Sequence, residues 1–211
     1  MKAKQERNSI YDTRRSQLTA AAYNVVSKKG YYNFTIKDIA DEAGMSAGLV
    51  HYYFKNKQDL LLNLLRQINT NIRVALQNDL ANIEDPVDKL SVFILRACNL
   101  INLIIEEKNY FYVLLDFWTQ LNHNERMRKA IQKLYQSYRK VCWDILNEGI
   151  IKGKIKQIDV IYTATMIVSM VQGLIIQYVI EPEAFDYSYY VNKIKNQIID
   201  TIISKGVNNG I

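Results

Sequence analysis

Only two prolines and eight glycines interrupt the 211 residues of this chain, and between them apolar residues recur at three- and four-residue spacing over long stretches. An all-β chain reverses often and draws on glycine and proline for its turns, whereas long periodic runs with few breakers are what helices need. The pattern predicts an all-α protein. With 49% hydrophobic residues the chain can bury a full core, which excludes disorder as a description of the whole. Its length fits one large domain or a small head joined to a larger body.

The formal net charge is +6, and its distribution says more than its total. Through Arg66 the basic residues are Lys2, Lys4, Arg7, Arg14, Arg15, Lys28, Lys29, Lys37, Lys55, Lys57 and Arg66, against Glu6, Asp12, Asp38, Asp41, Glu42 and Asp59. A basic first third on a nearly balanced remainder is what phosphate binding requires. A solvated basic face gives the same count, so charge leaves both open. Cys98 and Cys142 belong to no CxxC pattern and read as reduced thiols packed as small hydrophobes, which suits a cytoplasmic protein. The polar start MKAKQERNSIYDTRRSQ lacks the apolar run of a secretory signal, so export is not expected.

From a cap at Asp12 or Thr13, Leu18, Ala21, Ala22, Val25 and Val26 predict a first helix that Gly30 stops in the left-handed conformation. Thr35 then caps a short second helix with Asp38 at the reciprocal capping-box position, and Ile36, Ile39, Ala40 and Ala43 form its apolar stripe. Gly44 ends it, and Ser46 caps a third helix on which Leu49, Val50, Tyr53 and Phe54 cluster inward. Two short helices joined by a tight glycine-containing turn are the mark of a helix-turn-helix, whose second helix enters the major groove.

The outward face of the third helix, Ala47, Gly48, His51, Tyr52 and Lys55, offers a small residue, a glycine, an imidazole and a phenol where a solvated helix would carry charges. Gly48 costs a helix about 1 kcal/mol relative to alanine. Either close approach to a DNA backbone or packing against another helix would offset that cost. Lys57 stands in the first turn of a fourth helix, which starts at Asn56 and Asp59 and runs through Leu61, Leu65, Ile68 and Leu76 to about Ala81. A cation is unfavourable there unless an anion is near, so Lys57 reads as a phosphate contact or as a solvated lysine.

Asp85-Pro86 opens a helix to about Glu107. Further helices are predicted over about 110–121 and 125–148, the latter ending near Gly149 and Gly153, and again over 160–180 and 187–204. Residues 160–180 carry no charge and are long enough to span a bilayer. Gln172, Gln177, Thr163, Thr165 and Ser169 interrupt the run, and a helix apolar all round is equally one covered by a second subunit. We therefore expect no membrane span, and a homodimer through the last two helices, about 158–180 and 187–204.

The run Phe34-Thr35-Ile36-x-x-Ile39-Ala40-x-x-Ala43-Gly44-x-Ser46-x-Gly48-Leu49-Val50-x-x-Tyr53-Phe54-x-x-Lys57-x-x-Leu60-Leu61 resembles the head of TetR-family regulators. The segment Gly48 to Phe54 is closest to the branch of choline-sensing repressors, although His51 stands where the family often has tyrosine. The resemblance covers about Arg14 to Leu65 and implies a helix-turn-helix DNA-binding domain over 1–56, with a helical ligand-binding and dimerisation domain over 57–211. It further implies that Ala47, Gly48, His51 and Tyr52 approach bases or sugar-phosphate of double-stranded DNA at a palindromic operator. Thr35, Ser46 and Tyr53 would hold backbone and Lys57 would bind phosphate. A small-molecule effector of unknown identity would bind the body and release the DNA. Tyr110, Phe111, Phe117, Trp118, Trp143, Tyr162 and Tyr178 are candidates to line its pocket or to be ordinary core. Glu106, Glu107 or Asp116 would serve a cationic ligand.

An enzyme finds little support. His51 and His123 have no ligand spacing, no GxxxxGK[ST] loop or GxSxG elbow occurs, and carboxylates are scattered as on ordinary helix surfaces. No catalytic residue, metal or cofactor is expected.

Overall fold

A computed structural model describes residues 2–99 and 115–203, with the backbone alone for residues 2–9 and for Tyr31. In chain order its helices are α1 (Lys2–Asn33), α2 (Ile36–Ala43), α3 (Ala47–Tyr53), α4 (Lys57–Leu80), α5 (Pro86–Cys98), α6 (Glu125–Ile151), α7 (Val160–Ile180) and α8 (Tyr187–Ile202). A 3-10 turn at Pro182–Ala184 precedes α8. Among the described residues the only strand-like pairing is one antiparallel bridge, Ile155 to Ile203. The all-α expectation holds. The expected helical stretches 100–107 and 110–114, and Ser204 at the end of the last helix, lie outside the described residues.

The first helix differs from expectation at both ends. It begins at Lys2 rather than at Asp12 or Thr13, because nothing between Lys2 and Asp12 breaks a helix and lysine, glutamine, glutamate and arginine favour one. A side chain can cap only where the chain ahead of it has left the helix. Gly30 has the expected positive φ of 78°, yet its ψ of 164° is extended. That region is open essentially to glycine alone. The chain therefore kinks at Gly30 and runs on to Asn33 before the corner.

The chain divides into two compact units, Met1–Ile72 with Asn102–Lys133, and Arg73–Ile101 with Leu134–Ile211. In the first, Leu18, Ala22 and Val26 of α1, Ile39 and Ala40 of α2 and Val50 of α3 are buried. So are Leu60, Leu61, Leu64 and Leu65 of α4. Those four leucines explain why this unit runs past residue 56, the boundary expected from the sequence: the helix-turn-helix is too small to close a core without the first turns of α4.

In the second unit α5 packs against α7 and α8, and α7 against α8. Asp85 caps α5 through the Val87 amide at 2.7 Å, with Pro86 in the first turn as expected. Asp159 caps α7, which buries Ala164, Ile167, Val168, Val171, Leu174 and Ile175. Cys98 and Cys142 are free and fully buried, and burial pushes both thiols up to about 12.

Helix α6 passes the first of the two glycines expected at its end, Gly149, and continues to Ile151; the reversal comes at the second, Gly153, whose φ is 67°. Gly149 is inside the helix for another reason. A β-carbon there would overlap the Ile155 side chain, which is 2% exposed and lies beside the bridge to Ile203. The backbone can come this close only because the side chain is a hydrogen. Gly149→Ala should therefore destabilise the protein by about 1–3 kcal/mol through overpacking, even though alanine is the better helix former. Urea unfolding of the variant beside the parent measures this, and an unchanged midpoint would contradict the close approach.

Candidate nucleic-acid interface

Local chemistry builds α2, the turn and α3. The Thr35 hydroxyl accepts from the Asp38 amide at 3.2 Å, and the Asp38 carboxylate accepts from the Thr35 amide at 2.8 Å. This closes the capping box the sequence predicts. Gly44 ends α2 in the left-handed conformation, with φ 63°. Two residues on, the Ser46 hydroxyl caps α3 through the Leu49 amide at 3.2 Å.

The resulting α3 is two-sided. Val50, Tyr53 and Phe54 are buried, and Ala47, Gly48, His51, Tyr52 and Lys55 are exposed beside Ser46, with Thr35 also exposed. A β-carbon at Gly48 would meet only the Ser46 hydroxyl, at 3.9 Å. Among the described residues nothing else packs there, so no contact among them accounts for the glycine. Tyr53, expected to hold DNA backbone, keeps 9% of its surface exposed. Its ring is part of the head's own packing, 4.8 Å from the Tyr11 ring of α1 and 5.1 Å from that of Tyr52.

Two long-range ties fix the ends of the motif. The Arg15 guanidinium of α1 donates to the Asn63 side chain of α4 at 2.7 Å and lies 5.4 Å from the centre of the Phe54 ring. Asn63 in turn donates to the Asp59 carbonyl at 2.7 Å. At the other end, the Lys57 ammonium donates to the Phe34 carbonyl at 3.0 Å and the Tyr32 carbonyl at 3.3 Å, and lies 3.8 Å from the centre of the Phe34 ring. Partial burial pushes its pKa below the usual lysine value. Lys57 thus fastens the first turn of α4 to the corner ahead of α2, a job no sequence pattern announced because its partners are backbone carbonyls 23 and 25 residues away. The Tyr32 hydroxyl shares a hydrogen bond with Thr119 at 3.2 Å, joining the same corner to the segment 115–124.

The capping Asp38 also pairs with Lys29 at 2.7 Å. The hydrogen bond from Lys29, followed by those from the Thr35 amide and hydroxyl, holds its carboxyl down to about 2.

The described candidate effector residues are divided between the two units. Asp116, Phe117 and Trp118 belong to the first unit, where Phe117 is fully buried. Trp143, Tyr162 and Tyr178 belong to the second. Trp143 and Tyr162 are on the surface, 41% and 63% exposed. Tyr178 packs against Tyr187 with ring centres 4.7 Å apart. Glu106, Glu107, Tyr110 and Phe111 lie outside the described residues. Between α7 and α8 the second unit carries an open groove of about 310 Å³, bordered by Met170, Gly173, Gln177, Phe185, Tyr190 and Ile194.

Comparison with known proteins agrees with this geometry. Residues 18–64 match the bacterial regulatory proteins of the tetR family, and residues 105–198 match the C-terminal part of BetI-type transcriptional repressors. The chain belongs to the TetR family. The fatty acid metabolism regulator protein of Bacillus subtilis is 26% identical over 197 residues, 92% of this chain and 95% of that protein. A transcriptional regulator of Saccharomonospora viridis, solved in complex with choline, has the same fold, with a TM-score of 0.82 at 23% identity over 92% of this chain and 100% of that one. FadR of Bacillus subtilis, solved in complex with stearoyl-CoA, follows at 0.74 and 24% identity, over 87% of this chain and 97% of that one.

TetR-family regulators bind operator DNA as dimers and bind small-molecule or acyl-CoA effectors. In this TetR-family head the motif match ends at Leu64, within the run of buried α4 leucines rather than at the end of α3.

The Asp38 tie gives the head a pH signature. Its carboxyl is held below the ordinary aspartate value of about 4, so its contribution to folding is complete above that pH and is lost as pH falls through about 2. Thermal melts of Asp38→Asn and the parent should therefore converge on acidification from pH 5 to 2, the parent losing more. Parallel acid curves would show that the tie does not act in solution.

Proposed function

We propose that this TetR-family chain is a repressor that sits on a palindromic operator as a homodimer and leaves it when a small molecule binds. The observation that carries the reading is the two-sided α3: a capped helix whose inner side is buried while Ala47, Gly48, His51 and Tyr52 stand exposed together, with only the Ser46 hydroxyl near Gly48 among the described residues. These four are proposed to meet bases or sugar-phosphate. Thr35, Ser46, Tyr53 and Lys57 are proposed to hold the backbone, Lys57 partly by fixing the corner it fastens. Residues 1–56 would then be the part that reads DNA and 57–211 the part that senses and dimerises, in the cytoplasm where the DNA is.

A homodimer through about 158–180 and 187–204 is supported by the second unit. Helix α7 is long and apolar enough to cross a bilayer, with a third of its most apolar window buried in the chain. Ile161, Tyr162, Met166 and Ile180 stay exposed, and the groove beside α8 is open. A second copy would cover these surfaces. Paired recognition helices must sit about 34–36 Å apart to enter successive major grooves, so a small change in head separation on effector binding would cost much of the affinity. The effector would bind within 57–211, with Asp116, Trp118 and Tyr178 and the other candidate aromatics as its contacts. The complexes of its structural neighbours make choline and stearoyl-CoA the two probes to try first.

Tyr52→Ala and Lys57→Ala should each weaken operator binding in a gel shift while sedimentation still shows a dimer. Lys57→Ala should also lower the salt dependence by about one counterion. If both variants bound as well as the parent, the assignment of α3 would be wrong. Adding choline or stearoyl-CoA to the bound complex and following DNA release distinguishes the effector classes.

A further inference from the structure

The helical stretch ahead of Asp12, which the sequence did not mark, brings one aromatic residue to the recognition helix. The Tyr11 ring lies 4.8 Å from that of Tyr53, tilted by 44°, and 6.3 Å from that of Tyr52, at 72°. Tyr52 and Tyr53 stand perpendicular at 5.1 Å. The three rings run from the interior outward: Tyr53 is 9% exposed, Tyr11 is half-buried, and Tyr52 is 71% exposed on the face proposed to meet DNA.

A phenol that exposed would ordinarily turn among its rotamers, and whatever binds it must then bear the entropy of fixing it. Edge-to-face contact restrains such a ring, because the positive edge of one ring meets the negative face of the other. Tyr53 alone offers Tyr52 one such contact, from its own helix. Tyr11 adds a second from α1, so the orientation of Tyr52 is referred to the longest helix of the head. We propose that Tyr11 is a positioning residue for DNA recognition, holding the Tyr52 ring in the orientation in which it meets the duplex. The inference depends on the reading of Tyr52 given above.

The test is a double-mutant cycle on the full-length chain, with the duplex that the wild-type protein itself enriches most from a random-sequence pool. Tyr11→Ala should weaken binding roughly three- to tenfold, the range that aromatic pair energies give, and should have no effect in the Tyr52→Ala background. Tyr11→Phe should bind as the parent does. Single-base-pair variants of the duplex should lose discrimination at the same positions for Tyr11→Ala and Tyr52→Ala. Should Tyr11→Ala fold poorly, Tyr11→Leu keeps the bulk and loses the ring edge, and the Tyr52 ring resonances in free protein should shift in it. Equal losses in both backgrounds, or no loss in either, would overturn the inference and leave Tyr52 where it is. Should Tyr52→Ala bind as well as the parent, the recognition helix itself has been misassigned, and this inference falls with it.

Discussion

A helix of seven residues cannot hold itself together in water, and α3 is one. Everything it does must be supplied from outside: the Ser46 cap at its start, Phe54 buried at its end, Val50 buried, and Tyr53 packed on the Tyr11 ring of α1. The head is best understood as a device for giving a short helix one direction. That is why its core is made of parts that lie far apart in the chain, Leu18 and Ala22 on one side and Leu60 to Leu65 on the other. It also explains why charged groups with strong hydration, Arg15 and Lys57, are drawn partly inward onto an amide oxygen, two carbonyls and two rings.

Much of this was open to inspection in the residues themselves, where the signals are local. Thr35 with Asp38, Gly44 and Ser46 each act within four residues, so their geometry can be inferred from spacing and appears as inferred. The same is true of Asp85-Pro86 and of α7, whose limits Val160 and Ile180 coincide with the uncharged run. What escaped was decided at long range or by the absence of a signal. Asp12 and Thr13 looked like caps, but the helix is already running when it reaches them. Gly149 looked like a terminator and is a point of close approach, visible only once Ile155 is placed. Lys57 read as a phosphate contact or a solvated lysine, and its hydrogen bonds to a corner two dozen residues away were not announced by either reading.

The sensing half was less legible for a different reason. Aromatic residues serve cores and pockets with the same chemistry, and only their neighbours tell the roles apart. Phe117 is fully buried while Tyr162 faces outward, yet both sit in helical apolar patterns that read alike. Family likeness narrows the question without closing it, since one neighbour holds choline and another stearoyl-CoA on the same fold.

The two cysteines have a practical corollary. Both are enclosed, and neither ionises readily, so the thiolate that alkylating probes require is scarcely available in the folded state. The native chain is thus already a quiet background for site-directed labelling. A single cysteine introduced on the surface of the head would take up a nitroxide or a fluorophore alone, and spectroscopic rulers could then follow the heads without first stripping the protein of its own sulfhydryls.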